Sequence, residues 1–170
     1  VELGEDAIRA QAELMGFGDE IKIPMSVTPS IYPTDMELSE VALSGFGQFD
    51  VRVSPLQMAM ATAAIANQGV IMKPQLVDLV VASNLNVLSQ PAPEVYSSPI
   101  SRQTAGLLTR MMVDSVELGV AGRAGIPQVA VAGKTGTAQN GPSDPYTLWF
   151  TGFAPAEAPR NPAVGMTTLT

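Results

Sequence analysis

Apolar positions along the chain fall into two spacings. In residues 1–122 they recur mostly every three or four positions, and after 129 they run in short blocks. Glu5 to Met15 predicts a helix, with Ala7, Ile8, Gln11, Leu14 and Met15 at helical spacing, acids in the first turn and Gly16 as its stop. Asp19 to Glu40 carries Pro24, Pro29 and Pro33 and predicts a long loop. Ser54-Pro55-Leu56-Gln57 predicts a helix start. Ser54 suits the cap, Pro55 the first helical position and Gln57 the return contact of a capping box. That helix runs to Asn67 and closes at Gly69. Its Ala and Met content predicts burial on more than one face.

Val77 to Leu88 predicts two short strands around Ser83-Asn84, followed by a proline-containing loop from Gln90 to Pro99. Ser101 caps a further helix. Leu107, Leu108, Met111, Met112, Ser115 and Val116 are expected on its buried side, with Gly119 and Gly122 at its end. Three strands are predicted at 129–138, 147–154 and 163–170. The first two flank the Gly141-Pro142-Ser143-Asp144-Pro145 loop and so pair antiparallel. Helices followed by a block of strands define an α/β chain of the α+β type, an antiparallel sheet flanked by helices.

The 170 residues are 46% hydrophobic and 15% charged, enough to bury a core at the size of one domain. A net charge of -7 with only nine scattered basic residues argues against nucleic acid and against an anionic membrane surface. There is no Cys and no His, which removes thiol catalysis, disulfides, a histidine general base and the common zinc sites. No apolar run reaches the ~20 residues of a membrane span; the longest, Leu76 to Leu88, is broken by Asp78, Ser83 and Asn84. The chain begins on the approach to a helix and stops inside a strand pattern. It therefore reads as a piece of a longer protein, truncated at both ends.

The chemistry concentrates at Lys134-Thr135-Gly136-Thr137, where an apolar strand ends in a cation, two hydroxyls and a bare glycine. A plain reading is a solvated strand-end lysine beside a turn. A phosphate loop would need Gly in place of Gln128 and a helix straight after Thr135. Gly136, Gly141, Pro142 and Pro145 forbid that helix. A strand edge along which a carboxylate-bearing substrate lies uses all four residues. Elsewhere, Asp35, Glu37 and Glu40 read as a solvated loop face, and Asp50 with Arg52 as a surface pair. Gln48 reads as a backbone-fixing residue, and Met58, Met60, Met111 and Met112 as core. Trp149 is either a groove residue or buried under the sheet.

Four elements stand in a fixed order: Ser44-Gly45-Phe46-Gly47-Gln48, Ser54-Pro55-Leu56-Gln57-Met58-Ala59, Ile65-Ala66-Asn67-Gln68-Gly69, and Lys134-Thr135-Gly136-Thr137-Ala138. Trp149-Phe150 and Gly152-Phe153-Ala154-Pro155 follow them. In this the chain resembles the penicillin-binding protein transpeptidase domain, most like class B enzymes, over roughly Gly4 to Thr170. The resemblance implies a transpeptidase/β-lactamase-like fold of which this is the C-terminal part. Its helical portion would span about 1–122 and its Lys-Thr-Gly strands about 129–170. It implies serine acyl transfer that cross-links peptidoglycan, acylation by β-lactams, and no cofactor or metal. Lys134 would supply electrostatic stabilisation. Thr135, Gly136 and Thr137 would bind substrate, and the Thr137 backbone N–H would be an oxyanion-hole donor.

The implied partners are the D-Ala-D-Ala stem peptide, β-lactams and the N-terminal part of the same domain. The implied place is the extracytoplasmic face of a bacterial membrane, with an anchor outside this segment and no membrane contact from it. The family's Ser-x-x-Lys and Ser-x-Asn motifs are absent: the three lysines, Lys22, Lys73 and Lys134, follow Asp19, Val70 and Val131 at that spacing. The isolated chain is therefore expected to be inactive. Two alternatives stay open, a serine β-lactamase or D,D-carboxypeptidase of the same fold, and a non-catalytic transpeptidase-like binding module.

Overall fold

A computed structural model of the chain describes residues 2–157 and, as strand backbone, 163–169. Helix α1 spans Gly4–Leu14, close to expectation. Arg9 lies across its surface and pairs with Glu5 at 3.0 Å and with Asp6. Pairs at these helical spacings contribute a few tenths of a kcal/mol. None of α1's residues is fully buried; of its expected apolar stripe Ile8 is half-buried, and Met15, just past the helix end, packs against the Ile21–Met60 cluster. At its end Gly16 takes φ +95, and its N–H donates to Glu13 O at 2.8 Å. A side chain there would strike the amide of Gln57 and the hydroxyl of Tyr96. Glycine thus lets the end of α1 dock on a later helix.

The loop expected from Asp19 to Glu40 needs correction at its end. Leu38–Ser44 forms helix α2, started by a reciprocal capping box between Glu37 and Glu40. Two of the three acids read as a solvated face therefore satisfy orphan amides at a helix N-terminus. The third, Asp35, donates its backbone N–H to Glu5 at 3.1 Å.

Helix α3, Pro55–Ala66, starts at Ser54 and Pro55 as predicted, with Ser54 Oγ accepting the Gln57 N–H at 3.2 Å. The return contact expected of Gln57 does not form, because its side chain donates to the Met15 carbonyl and the Ser54 N–H donates to Ser30 Oγ at 3.0 Å. Its buried residues, Gln57, Met60, Thr62 and Ala64, do not lie on one stripe. Strand β1, Ile71–Met72, pairs antiparallel with β4, Val95–Ser97, and β2, Val80–Val81, with β3, Val87–Ser89. The β2–β3 hairpin was expected. β4 was not, because it sits inside the proline-rich stretch read as loop. Lys73 and Glu94 close the β1–β4 pair; the hydrogen bond from Lys73, then its charge, holds the Glu94 carboxyl below its usual range.

Helix α4, Arg102–Glu117, is capped by Ser101, whose Oγ accepts the Thr104 N–H at 3.0 Å. Its buried side is Ala105, Met112 and Val116. Leu107 and Met111 are exposed, the latter at 66%, which corrects their expected place in the core. A 3-10 turn at Gly122–Ala124 leads to the main sheet. There β5, Ala132–Ala138, pairs antiparallel with β6, Thr147–Ala154, and β6 with β7, Ala163–Leu169. Thr170, the last residue of the third predicted strand, lies outside the described residues.

Apolar burial joins these pieces in three places. Ile21, Met60, Ala64 and Ile71 pack α3 on β1. Met112, Ala132 and Phe153 pack α4 on the sheet with Ile65 of α3, and Val116 meets Val131 and Phe150. The result is an α+β fold with helices on an antiparallel sheet.

Candidate active site

Strand β5 lies at one edge of the β5-β6-β7 sheet. Its register places Lys134 opposite Thr151, Thr135 opposite Phe150, Gly136 opposite Trp149 and Thr137 opposite Leu148. Side chains alternate across a strand, so Lys134 shares a face with Thr151 and Trp149, while Thr135 and Thr137 start from the other. Both sets still reach one cleft because β5 is an edge, around which either face is accessible. The cleft holds about 500 Å³ and is lined by Lys134 to Ala138, Thr147, Trp149 and Thr151 from the sheet. Opposite them stand Phe46, Gly47, Gln48 and Arg52 from the segment between α2 and α3, with Phe17 and Met58. Trp149 is thus a groove residue, and Met58 lines the cleft instead of the core.

The backbone of the edge is the more informative feature. The Thr137 carbonyl accepts the Gln48 side-chain amide at 3.2 Å, and the Thr135 carbonyl accepts the Lys134 ammonium. Both carbonyls therefore point away from β6. In an antiparallel strand the N–H of a residue points the same way as its C=O. The N–H groups of Thr135 and Thr137 accordingly face outward into the cleft, while Lys134 and Gly136 carry the ladder to β6. Two outward donors, two hydroxyls and a lysine stand on four consecutive residues.

The remaining geometry supports that edge. Thr62 of α3, only 2% exposed, pairs its hydroxyl with that of Thr151 at 2.6 Å, tying α3 to the strand opposite Lys134. A Cβ on Gly136 would stand 3.3 Å from the Trp149 Cβ, so glycine there leaves the indole in place. Asp50 pairs with Arg52 at 2.8 Å, the expected surface pair. Among the lining residues are two cations and no carboxylate, in a chain of net charge -7. Such a cleft favours an anionic ligand in extended form, whose carboxylate meets Lys134 and the threonine hydroxyls. No lining residue is a serine; the hydroxyls that line the cleft are those of Thr135, Thr137, Thr147 and Thr151. No group of three acids among the described residues stands ready for a metal.

All four sequence-derived residues, Lys134, Thr135, Gly136 and Thr137, come together with Gln48. Phe17, Phe46, Met58, Thr62 and Thr151 were not singled out as site residues. They become visible only when distant segments meet, although Phe46 and Met58 sit within motifs noted above.

A solvent-facing Lys-Thr-Gly-Thr strand edge on a helix-flanked antiparallel sheet defines a class, and comparison with known proteins agrees with it. The chain belongs to the penicillin binding protein transpeptidase domain family, which matches residues 1–168. It is 34% identical over 161 residues to the peptidoglycan D,D-transpeptidase PbpA of Mycolicibacterium smegmatis, covering 92% of this chain and 33% of that protein. The crystal structure of PBPA from Mycobacterium tuberculosis superposes with a TM-score of 0.89 at 31% identity, covering 99% of this chain and 40% of that one. An imipenem acyl-enzyme complex of penicillin-binding protein A from the same organism gives 0.87 at 31% identity, with 98% and 38% covered. The chain thus spans about a third of the length of the curated relatives it matches.

Proposed function

We propose that this chain forms the Lys-Thr-Gly wall of a peptidoglycan D,D-transpeptidase that works by serine acyl transfer. The observation that carries the reading is the edge of β5, where the outward N–H groups of Thr135 and Thr137 stand beside Lys134 in a cleft without carboxylates. A stem peptide ending in D-Ala-D-Ala is extended and carries a terminal carboxylate, and a β-lactam presents the same two features in a rigid ring. The carboxylate would sit on the Thr135 and Thr137 hydroxyls with Lys134 close by.

A serine from the portion of the domain this chain does not contain would attack the scissile carbonyl. Its proton passes to a base, and the negative charge grows on the carbonyl oxygen. The Thr137 N–H would then be one of the donors that hold that oxyanion. Collapse expels D-Ala, which takes up the proton, and leaves a serine ester. An amine of a second stem peptide attacks the ester, forms the cross-link and frees the serine. The Lys134 ammonium would lower the cost of both charged intermediates.

The relatives named D,D-transpeptidase support synthesis over hydrolysis as the second step. A peptidoglycan substrate would put the protein on the extracytoplasmic face of a bacterial membrane. None of the described helices is long and apolar enough to cross one, so an anchor would belong to another segment. A fluorescent penicillin tests the reading. The longer protein, with the Ser-x-x-Lys segment, should keep the label after denaturation, and the 170-residue chain alone should not. Label retained by the short chain, or none on the long one, would refute it.

A further inference from the structure

The turn between α2 and α3 is built at a cost. Gly47 takes φ +81, and Phe49 and Asp50 take φ 52 and φ 44. The left-handed region suits glycine; for a residue as large as Phe it is an outlier that the surroundings must impose. The surroundings do so. The Gly47 N–H donates to Ser44 O at 3.0 Å and the Gln48 N–H to Leu43 O at 3.1 Å. Beyond the turn, Arg52 exchanges two backbone hydrogen bonds with Ile31, at 2.8 and 3.0 Å, and its guanidinium holds Asp50. This effort delivers one side chain across 89 positions of sequence. Gln48 donates its amide to the Thr137 carbonyl on the open edge of β5.

We propose that Gln48 is a positioning residue for acyl transfer. It stands in for a missing neighbouring strand at Thr137 and sets the direction of the peptide units around that residue. An edge strand has no partner on its outer side, so nothing in the ladder fixes the outward groups. The Thr137 N–H can serve as an oxyanion donor only when it is aimed before the charge develops, since reorientation during the reaction forfeits the gain. Gln48 supplies that aim from a turn held rigid by its own hydrogen bonds. The carbonyl it grips keeps a second lone pair, so an extended ligand can still pair at the same place. On the transpeptidase reading Gln48 would act only through the Thr137 carbonyl, while Lys134 and the threonine hydroxyls would take the substrate carboxylate.

The inference rests on the transpeptidase reading, and its test separates the two. In the longer protein, Gln48→Ala removes the donor, and Gln48→Glu keeps the shape but presents only acceptors to the carbonyl. Labelling with a fluorescent penicillin is followed for rate, for saturation with concentration and for final amplitude. The maximal acylation rate should fall ~10- to 100-fold in both variants, the scale of a sub-ångström misplacement at a reacting centre. The concentration giving half-maximal rate should shift less than threefold, because ground-state binding uses Lys134 and the hydroxyls, and the amplitude should stay at one label per protein. A merely structural role would lower the amplitude and the melting temperature and leave the rate of the folded fraction intact. That outcome overturns the proposal, as does a rate within twofold of wild type in both variants. Failure of the wild-type protein to be labelled at all would overturn the transpeptidase reading itself.

Discussion

Gly152 faces Gly133 across the β5–β6 pair, one residue before the Lys134–Thr151 pair at the start of the cleft. A Cβ at Gly152 would stand 2.6 Å from the Ala132 carbonyl oxygen and 3.3 Å from the Gly133 Cα. A close carbon–oxygen contact needs ~3.3 Å, so Gly152→Ala must open the pair by about 0.7 Å. The Ala132 oxygen and the Gly133 Cα are backbone, so turning the Phe150 ring, whose Cζ would stand 3.2 Å away, does not relieve them; β5 itself has to move. Overpacking of this kind costs about 1–3 kcal/mol of stability. The larger consequence is at the edge, where the Thr137 N–H moves with the strand. A misplacement of ~1 Å at a reacting centre costs about 10²-fold, so acylation of the longer protein should fall ~10- to 100-fold. Gly106→Ala is the control. Nothing lies within 4 Å of its Cβ position, in the middle of α4, and alanine there should stabilise by ~0.5–1 kcal/mol and leave acylation unchanged. Melting temperature and penicillin-labelling rate, measured on both variants, decide the matter. Wild-type labelling by Gly152→Ala would show that the geometry of β5 does not control the reaction.

Two further outcomes follow from the same structure. Lys134→Ala should cut the acylation rate of the longer protein by ~10²-fold or more, the scale of losing one electrostatic donor; unchanged labelling would remove the residue from its role. Tyr96 has its hydroxyl pushed up to about 12, first by burial and then by its hydrogen bond to the charged Asp19. Its folded value is raised above the unfolded one, so its contribution to stability is complete below pH ~10 and is lost as pH rises to about 12. Ultraviolet titration should show a tyrosine step near pH 12, and that step should vanish in Tyr96→Phe.

Local chemistry made part of the fold readable. The start of α3 was legible because Ser54 takes an orphan amide and Pro55 has none to satisfy, whereas the side chain of Gln57 turned to the end of α1, which local pattern does not reveal. The pairing of β5 with β6 followed from two apolar blocks and the loop between them. Other features depended on partners that local pattern does not reveal. On α4 both Leu107–Met111 and Leu108–Met112 have helical spacing, and contact with Ala132 and Phe153 selected the second. Glu37 and Glu40 looked like solvent-facing acids until the backbone between them turned helical. β4 was masked by Pro91, Pro93 and Pro99, whose restrictions fall outside the three residues that pair. At the site, Lys134 to Thr137 were visible as a motif. The reach of Gln48 to Thr137, like the hydroxyl pair of Thr62 and Thr151, spans 89 positions and needed the folded chain.

An oxyanion donor that belongs to the main chain would have an evolutionary consequence. No codon change deletes the N–H of Thr137 except one to proline, and proline would also fix φ at that point of the strand. Under the reading above, selection for antibiotic escape cannot easily erase the contact that a β-lactam shares with the natural peptide. Escape would have to act on what holds the edge: Gln48, the facing glycines, or Trp149 behind Gly136. Each such change would slow acylation by drug and by peptide together. Variants arising by that route would carry weaker cross-linking as the companion of resistance.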